Sequence, residues 1–278
     1  MVARTVIVPS RVNILGEHTD RGGGLALPFA TQPFLRLIVD PEDGSGSSGD
    51  ETVSALWKEA GGKSADIRVN SGIPIGAGMS SSAALCTAVA MAVNPNLDAM
   101  DLAKEAQRLE HRVLGTKCGL LDQIAITHAS AGFMMLIDFQ NLDVAQIRFP
   151  DGWRLRLVDT GVRRNLSETT YSGIQSNSEA MHLHVEEENA RVRSAIGADA
   201  ITLGCLLNES HASLRDHVLV STPEIEEKIS AVRSTPGVLG ARLMGGGFGG
   251  MLLAVVESDD VLPEALCPVP SGRAHSEK

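Results

Sequence analysis

GIPIGAGMSSS, residues 72–82, runs directly into the alanine-rich segment 83–93. Alanine is the strongest helix former and Asn94-Pro95 disfavours continuation, so we expect a helix that ends there. The start of a helix leaves N–H groups unpaired and carries partial positive charge, and glycines let the backbone approach an anion closely. We therefore predict a phosphate-binding loop, with three serines (Ser80, Ser81 and Ser82) in the first turn of the helix. A flexible turn before a buried helix is the alternative that this segment alone leaves open.

A second glycine cluster, GGGFGG at residues 245–250, lies between the apolar runs Val238–Met244 and Met251–Val256. It matches the GxGxxG spacing of dinucleotide-binding folds, but that motif requires a helix after the glycines. Here a β-like run follows, so we predict strand, turn and strand, with the turn folded over bound phosphates. The first loop is not a Walker A motif, since GxxxxGK[ST] does not occur in the sequence.

Composition narrows the class of protein. The chain of 278 residues has a formal net charge of −10 and contains no basic tract. An acidic chain has little electrostatic reason to bind nucleic acid or an anionic membrane, so phosphates must be held locally. The four cysteines lie far apart without a CxxC pair, which favours free thiols in a reducing compartment. With neither a leader pattern nor 18 consecutive apolar residues, we expect a cytoplasmic protein.

Hydrophobic patterning predicts both helices and strands. Helical periodicity is found at 98–114, 179–195, 199–214 and 223–233. Asp98 and Thr222 are predicted N-caps, and Gly115 is a predicted helix end. Further β-like runs are found at 5–8, 35–39, 67–69, 133–139 and 155–158. Residues 41–50 are rich in Gly and Ser, and we expect them to be a solvated linker or a hairpin loop. This mixed alternation favours an α+β fold over a doubly wound sheet.

Several charged residues suit phosphoryl transfer. That chemistry needs a carboxylate for the acceptor hydroxyl, a cation near the transferring group and hard oxygen ligands for a metal. The chain offers Asp122, Arg11 and Glu110 for these tasks, and the cluster Glu17-His18-x-Asp20 suits a polyhydroxy ligand. Singly, each has a plainer role as a helix cap, a loop carboxylate or, for His18, a zinc ligand. Together with two glycine-rich loops, they favour a phosphotransferase.

Three motifs and several segments between them resemble one known family. RVNILGEHTD at residues 11–20 resembles a family signature, and GIPIGAGMSSSAAL and ARLMGGGFGG resemble two superfamily motifs. The segment Cys118–Gln123 and the string SHASLRD at 210–216 are similar to family positions outside those motifs. The family is the galactokinases, within the GHMP kinase superfamily, and the resemblance covers most of the chain.

The resemblance implies a two-domain α+β GHMP kinase fold with an active site in the cleft between the domains. We expect an N-terminal domain over residues 1–147, with a left-handed βαβ unit and the sugar and phosphate motifs. We expect a ferredoxin-like C-terminal domain over residues 148–278, with the third glycine-rich motif. The interval between the first two motifs is compressed relative to the family, which leaves the choice of nucleotide base open.

The resemblance also implies a role for each motif residue. Asp122 is the expected catalytic base, and Arg11 beside it is expected to steady the transferring phosphoryl group. Sugar-hydroxyl contacts are expected from Glu17, His18, Asp20, Gly119 and Tyr171. The phosphates of ATP are expected to lie against Gly76, Gly78, Ser80, Ser81, Ser82, Gly246 and Gly247. Mg²⁺ is expected beside Ser82 and Glu110.

The implied activity is transfer of the γ-phosphate of MgATP to the anomeric hydroxyl of galactose, by a monomer or weak homo-oligomer. Two alternatives stay open at this point. One is a GHMP kinase for arabinose, galacturonate or N-acetylgalactosamine. The other is a non-catalytic sensor that binds sugar and ATP, although the intact Arg11 and Asp122 favour catalysis.

Overall fold

Two antiparallel sheets organise the first half of the chain. The structure is a computed structural model that describes residues 4–40, 50–163 and 178–277. One sheet contains β1 (Arg4–Asn13), β3 (Pro28–Asp40) and the edge strand β4 (Asp66–Ser71), in that order. The other contains β2 (Leu25–Ala26), β5 (Phe133–Asp138) and β6 (Asp143–Arg148). Strand β1 runs further than the predicted 5–8, so Arg11 lies inside a strand paired with β3.

Four helices accompany these sheets: α1 (Glu51–Glu59), α2 (Ser81–Val93), α3 (Ala99–Leu109) and α4 (Leu121–His128). Helix α2 is alanine-rich and mostly buried, and it contacts β1, β3, α3 and α4. A helix that is apolar on nearly all sides belongs in a core. Its buried axis fixes where its N-terminus points, which is the end that carries the serines.

The predicted helix 98–114 is confirmed, with one irregular turn. The Asp98 side chain caps it by accepting from the Asp101 N–H at 2.8 Å. After α3 the chain continues as a π-helical turn, Glu110–Leu114, and ends at Gly115 with φ +68°. π-Turns inside helices often mark functional positions. Here the turn contains the buried Glu110.

The second half contains β7 (Arg154–Asp159), α5 (Ser178–Ala195), α6 (Ala200–Ser213), α7 (Pro223–Arg233), β8 (Val238–Leu243) and β9 (Met251–Val256). A second π-turn, Leu214–Val218, follows α6. The strand order is β7-β9-β8, all antiparallel, and an isolated bridge joins Leu157 to Leu266. The strand order expected of a ferredoxin-like sheet is therefore present. Its last strand is reduced to the single bridge at Leu266, and residues 257–265 form turns and bends in place of the crossover helix that would precede that strand.

The end of the chain returns to the first sheet. Strand β10 (His275–Glu277) pairs with β1, and the Ser271 and Ala274 N–H groups donate to Ala30 and Ile126 carbonyls. One hydrophobic core also continues from the first sheet into β9. The two halves are thus closely joined, while the boundary at 147/148 and the left-handed crossover stay predictions.

Candidate active site

A cavity of about 390 Å³ opens where three segments meet. They are the first motif (residues 11–20), the phosphate loop (residues 72–82) and the glycine cluster of the third motif (residues 245–250), called here the third glycine loop. The cavity collects thirteen of the predicted site residues: Arg11, Glu17, His18, Asp20, Gly76, Gly78, Ser80, Ser81, Ser82, Glu110, Gly119, Asp122 and Gly246. Gly247 does not line the cavity, because its α-carbon faces Val220. Tyr171 lies outside the described residues.

The phosphate loop differs from the prediction in one detail. Helix α2 begins at Ser81, so Ser80 lies just before the first turn, with its backbone in the left-handed region at φ +65°. That conformation costs a non-glycine residue about 1–2 kcal/mol. The buried Ser80 hydroxyl finds no hydrogen-bond partner among the described residues. A strained residue with an unsatisfied hydroxyl at a helix N-terminus is suited to an anionic ligand.

The phosphate loop rests directly on the third glycine loop. The Met251 N–H donates to the Ala77 carbonyl at 3.0 Å. Gly78 has φ +73°, and a Cβ there would lie 2.9 Å from the Met244 carbonyl oxygen. Only glycine therefore fits at position 78, and the two loops form one wall of the cavity.

Arg11 and Asp122 form the ion pair that the sequence predicted. Arg11 Nε and Nη2 lie 2.8 and 2.7 Å from Asp122 Oδ1, and Nη1 donates to the Gly78 carbonyl. The arginine is almost completely buried, whereas the Asp122 side chain is 30% exposed to the cavity. Strand β1 holds the cation and the first turn of α4 holds the carboxylate. The pair therefore joins the first motif, the phosphate loop and the segment Cys118–Gln123.

Glu110 and Ser82 form an oxygen cluster beside the phosphate loop. Ser82 Oγ donates to Glu110 Oε1 at 2.6 Å, and Gln123 Nε2 donates to Oε2 at 2.8 Å. Burial, with a further contribution from the negative charge of Asp122, raises the pKa of Glu110 to about 7. A divalent cation would favour the carboxylate form. One carboxylate and one hydroxyl fit Mg²⁺, which usually binds few protein oxygens and completes its shell with phosphates and water.

Asp20 and Gly119 lie directly against each other in the lining of the cavity. A Cβ on Gly119 would lie 1.9 Å from Asp20 Oδ2, so glycine is what lets the carboxylate occupy this place. The Leu121 N–H lies 3.5 Å from the same oxygen. Burial, reinforced by the charge of Asp122, raises the pKa of Asp20 to about 6. Two carboxylates facing one space are suited to binding hydroxyl groups.

Glu17, which was expected to contact a sugar hydroxyl, also makes contacts within the protein. Its Oε1 accepts from the Gly245 N–H at 2.6 Å and lies 3.3 Å from Arg242 Nη2. Burial alone would raise the pKa of Glu17, but Arg242, Arg11 and the Gly245 N–H hold it below its usual value. Glu17 is therefore an ionised carboxylate that lines the cavity and also binds the third glycine loop.

Helix α5 holds the first motif in place, a role that the sequence analysis missed. Glu188 accepts from the Gly16 N–H at 2.9 Å, Asn189 accepts from the Leu25 N–H at 2.6 Å, and His184 Nε2 donates to the Glu17 carbonyl at 2.9 Å. Glu188 and His184 are fully buried. Polar residues at positions 184 and 188 share one helix face. That spacing is the signal from which the contact surface was predictable.

Among residues 4–40, 50–163 and 178–277, no three His, Cys, Asp or Glu side chains group as a metal cluster would require. The zinc interpretation of His18 gains no support there. In that same part of the chain, no helix has the length and apolar character needed to span a membrane.

Comparisons with known proteins agree with this geometry. Residues 50–130 match the model of the GHMP kinases N terminal domain, 192–271 match GHMP kinases C terminal, and 3–41 match the Galactokinase galactose-binding signature. Galactokinase of Chloroflexus aggregans is 30% identical, over 93% of this chain and 85% of that protein. Galactokinase of Thermotoga maritima is 30% identical, over 90% of this chain and 88% of that protein.

The fold has solved counterparts as well. Lactococcus lactis galactokinase, crystallised with galactose, superposes with a TM-score of 0.84 at 21% identity and covers 98% of this chain and 95% of its own. Methanococcus jannaschii mevalonate kinase superposes with a TM-score of 0.70 at 19% identity, over 98% of this chain and 96% of its own. These likenesses show a GHMP kinase fold, and the sequence relatives show the family. The chain belongs to the galactokinase family of the GHMP kinases.

Proposed function

We propose that this protein is an ATP-dependent galactokinase that phosphorylates the anomeric hydroxyl of galactose. One observation carries the proposal: a single cavity contains the Arg11–Asp122 pair, the N-terminus of α2 and the Asp20 carboxylate. These are a base, an anion site and a hydroxyl-binding group within one enclosed space. The Ser80 hydroxyl at the N-terminus of α2 has no hydrogen-bond partner in residues 4–40, 50–163 and 178–277. The family relatives, which are galactokinases, support galactose as the acceptor.

Asp122 is the base in this proposal. Its Oδ1 accepts both Arg11 donors, which leaves Oδ2 to receive the proton of the sugar hydroxyl. The sugar oxygen then bonds to the γ-phosphorus, the bond from that phosphorus to the β,γ-bridging oxygen breaks, and ADP leaves with the electron pair. Arg11, held by Asp122 and the Gly78 carbonyl, places positive charge beside the phosphate loop where the transferring group passes.

The nucleotide phosphates lie against the start of α2 in this proposal. Backbone N–H groups of the loop, together with the Ser80, Ser81 and Ser82 hydroxyls, supply hydrogen-bond donors to the phosphate oxygens. Gly246 faces the same space from the third loop. Mg²⁺ is proposed beside Ser82 and Glu110, where it would neutralise charge on the β- and γ-phosphates. The Gly247 and Tyr171 roles stay predictions.

The charge of the cavity favours a neutral acceptor. Its lining contains five carboxylates, Glu17, Asp20, Asp50, Glu110 and Asp122, and Arg11 is the single arginine or lysine among the described lining residues. Arg11 is itself already paired with Asp122. A uronate would add a negative charge beside these carboxylates with no further cation to balance it. Galactose therefore fits better than galacturonate, while arabinose and N-acetylgalactosamine are left to experiment.

We further propose that the protein acts in the cytoplasm as a monomer or weak homo-oligomer, with sugar and ATP as its partners. Its net charge of −10 gives no attraction for nucleic acid or an anionic membrane. The four cysteines are free thiols in the structure, which suits a reducing compartment.

A coupled assay of ADP release tests the function. The purified protein is given MgATP with galactose, glucose, arabinose, galacturonate, N-acetylgalactosamine or mevalonate, and phosphorus NMR identifies the product. We expect the highest kcat/KM with galactose and a product phosphorylated at the anomeric oxygen. Higher kcat/KM with another acceptor would replace galactose, and sugar binding without ADP release from any acceptor would favour the non-catalytic sensor.

A further inference from the structure

We propose that Arg242 is a positioning residue that couples the sugar and nucleotide subsites by holding Glu17 and the third glycine loop together. The inference rests on the proposed function, because it places a sugar and a nucleotide in the same cavity. It goes beyond that function in predicting that each ligand strengthens binding of the other, and in naming the residues responsible.

Arg242 is unusual for a strand residue because it is fully buried. From β8 it donates to three backbone carbonyls: Nε to Ile14 at 2.8 Å, Nη2 to Asn13 at 2.5 Å and Nη1 to Leu243 at 3.0 Å. Asn13 and Ile14 belong to the first motif, whereas Leu243 immediately precedes the third loop. A buried guanidinium with these partners fixes the first motif against the strand that leads into the third loop.

Glu17 completes the connection. Its Oε1 binds the Gly245 N–H at 2.6 Å and lies 3.3 Å from Arg242 Nη2, while the residue itself lines the cavity. Gly245 in turn packs on the phosphate loop, since a Cβ there would lie 3.0 Å from Gly78 Cα. A path of direct contacts therefore leads from Glu17 to the phosphate loop.

The third loop gives this path a thermodynamic consequence. Its residues 245, 247, 248, 249 and 250 all have positive φ, including the non-glycine Phe248 at φ +58°. Holding such a loop in one conformation costs entropy. Because Glu17 bonds to the Gly245 N–H and Gly245 packs on Gly78, a sugar that holds the Glu17 carboxylate in this position also favours the loop position that a nucleotide meets. By linkage the nucleotide must strengthen sugar binding by the same factor.

The experiment measures that factor by calorimetry. Galactose is titrated into the full chain alone and with a saturating non-hydrolysable ATP analogue plus Mg²⁺, and the ratio of the two Kd values is the coupling factor. The test variants are Arg242→Lys, which keeps the charge but cannot reach three carbonyls, and Glu17→Gln, which removes the charge facing the arginine. Thermal unfolding verifies that each variant folds, and ADP release with galactose is measured in parallel on the wild type.

The matched control is Arg156→Lys. Arg156 is also a buried strand arginine, on β7, where it donates to the Leu155 carbonyl at 2.9 Å and to Asp259 at 3.0 Å. It does not line the cavity. The same chemical change at this position perturbs the core of the second half of the chain without touching the path through Glu17.

We expect a coupling factor of about fivefold or more in the wild type. In Arg242→Lys and Glu17→Gln the factor should lie within about twofold of unity. In Arg156→Lys it should equal the wild-type value. If Arg242→Lys does not fold, Glu17→Gln decides the question. A wild-type factor near unity, or coupling retained in a folded test variant, would overturn the inference while ADP release with galactose leaves the proposed function intact. Absence of both galactose binding and ADP release would overturn both.

Discussion

Replacing Gly119 by alanine adds one methyl group beside Asp20, in the lining of the cavity. The new Cβ would lie 1.9 Å from Asp20 Oδ2, whereas Cβ atoms essentially never approach other atoms closer than 3.0 Å. Gly119 is not among the glycines with positive φ, so alanine adds no backbone strain. The carboxylate must therefore move by about 1.1 Å or rotate away, and its partial exposure gives it room to do so.

The cost should appear in sugar binding and not in folding. A hydrogen bond to a charged group contributes about 1.5–3 kcal/mol, which corresponds to roughly a 10- to 150-fold increase in the galactose KM if Asp20 loses its contact. The KM for ATP should change by less than about twofold, because the contacts described for Asp20 are with Gly119 and Leu121, outside the phosphate loop. The melting temperature should stay within a few degrees of wild type.

Steady-state kinetics with either substrate varied measure both KM values. Gly152→Ala is the matched control, since no atom lies within 4 Å of a Cβ at that glycine and its φ is not positive. It should leave both KM values unchanged. A Gly119→Ala protein with wild-type galactose KM would refute the placement of Asp20 against the sugar.

Three further predictions concern pH and the phosphate loop. Since burial and Asp122 raise the pKa of Asp20 to about 6, kcat/KM for galactose should fall on the acid side of an apparent pKa near 6, and a profile flat down to pH 5 would contradict this. Ser80→Ala should raise the ATP KM about tenfold or more without lowering the melting temperature, because its hydroxyl has no partner among the described residues; an unchanged ATP KM would remove it from the phosphate site. Burial lowers the pKa of His211 to about 4, and its Nδ1 accepts from the Leu243 N–H. Between pH 6.5 and 4, the unfolded chain therefore binds more protons at this histidine than the folded chain does. Denaturant unfolding should show a stability loss of about 3 kcal/mol across that window, and His211→Gln should flatten it; an equal slope in the variant would assign the loss elsewhere.

Local sequence signals were sufficient for much of the fold. Helix α2 follows from an alanine run between serines and Asn94-Pro95, and α7 follows from Thr222 before a proline. Both signals act within a few residues, so they do not depend on the tertiary structure. Helix α1 was not predicted, although its N-cap Asp50 accepts from Thr52 and Val53 N–H groups and was readable from the sequence.

Features set by distant contacts were not predictable in this way. Ser80 has a left-handed backbone at φ +65°, just after the part of its loop that packs on Met244 and Gly245, and no local sequence signal predicts it. The pairing of β10 with β1 joins opposite ends of the chain. Neither feature depends on a periodic pattern. Ser80 lines the cavity, and β10 extends the sheet that contains β1.

In the candidate site as well, some features were predictable from the sequence and others depend on contacts between distant segments. The resemblance to the galactokinases implied one cleft for Arg11, Asp122 and Glu110, and all three line the cavity. The sequence did not reveal that Glu17 binds the third loop as well as lining the cavity. Arg242 was visible as a charged residue within an apolar strand, but its role depends on carbonyl groups more than 200 residues away in sequence.

The most direct test of the account compares wild type with Asp122→Asn for galactose turnover and galactose binding. Asparagine keeps the shape of the side chain but cannot take the hydroxyl proton, so kcat should fall by roughly 10²- to 10⁴-fold. The galactose Kd, measured by calorimetry, should stay within a few fold of wild type. Near wild-type kcat in the variant would contradict the role of Asp122 as the base, and with it the proposed catalytic centre.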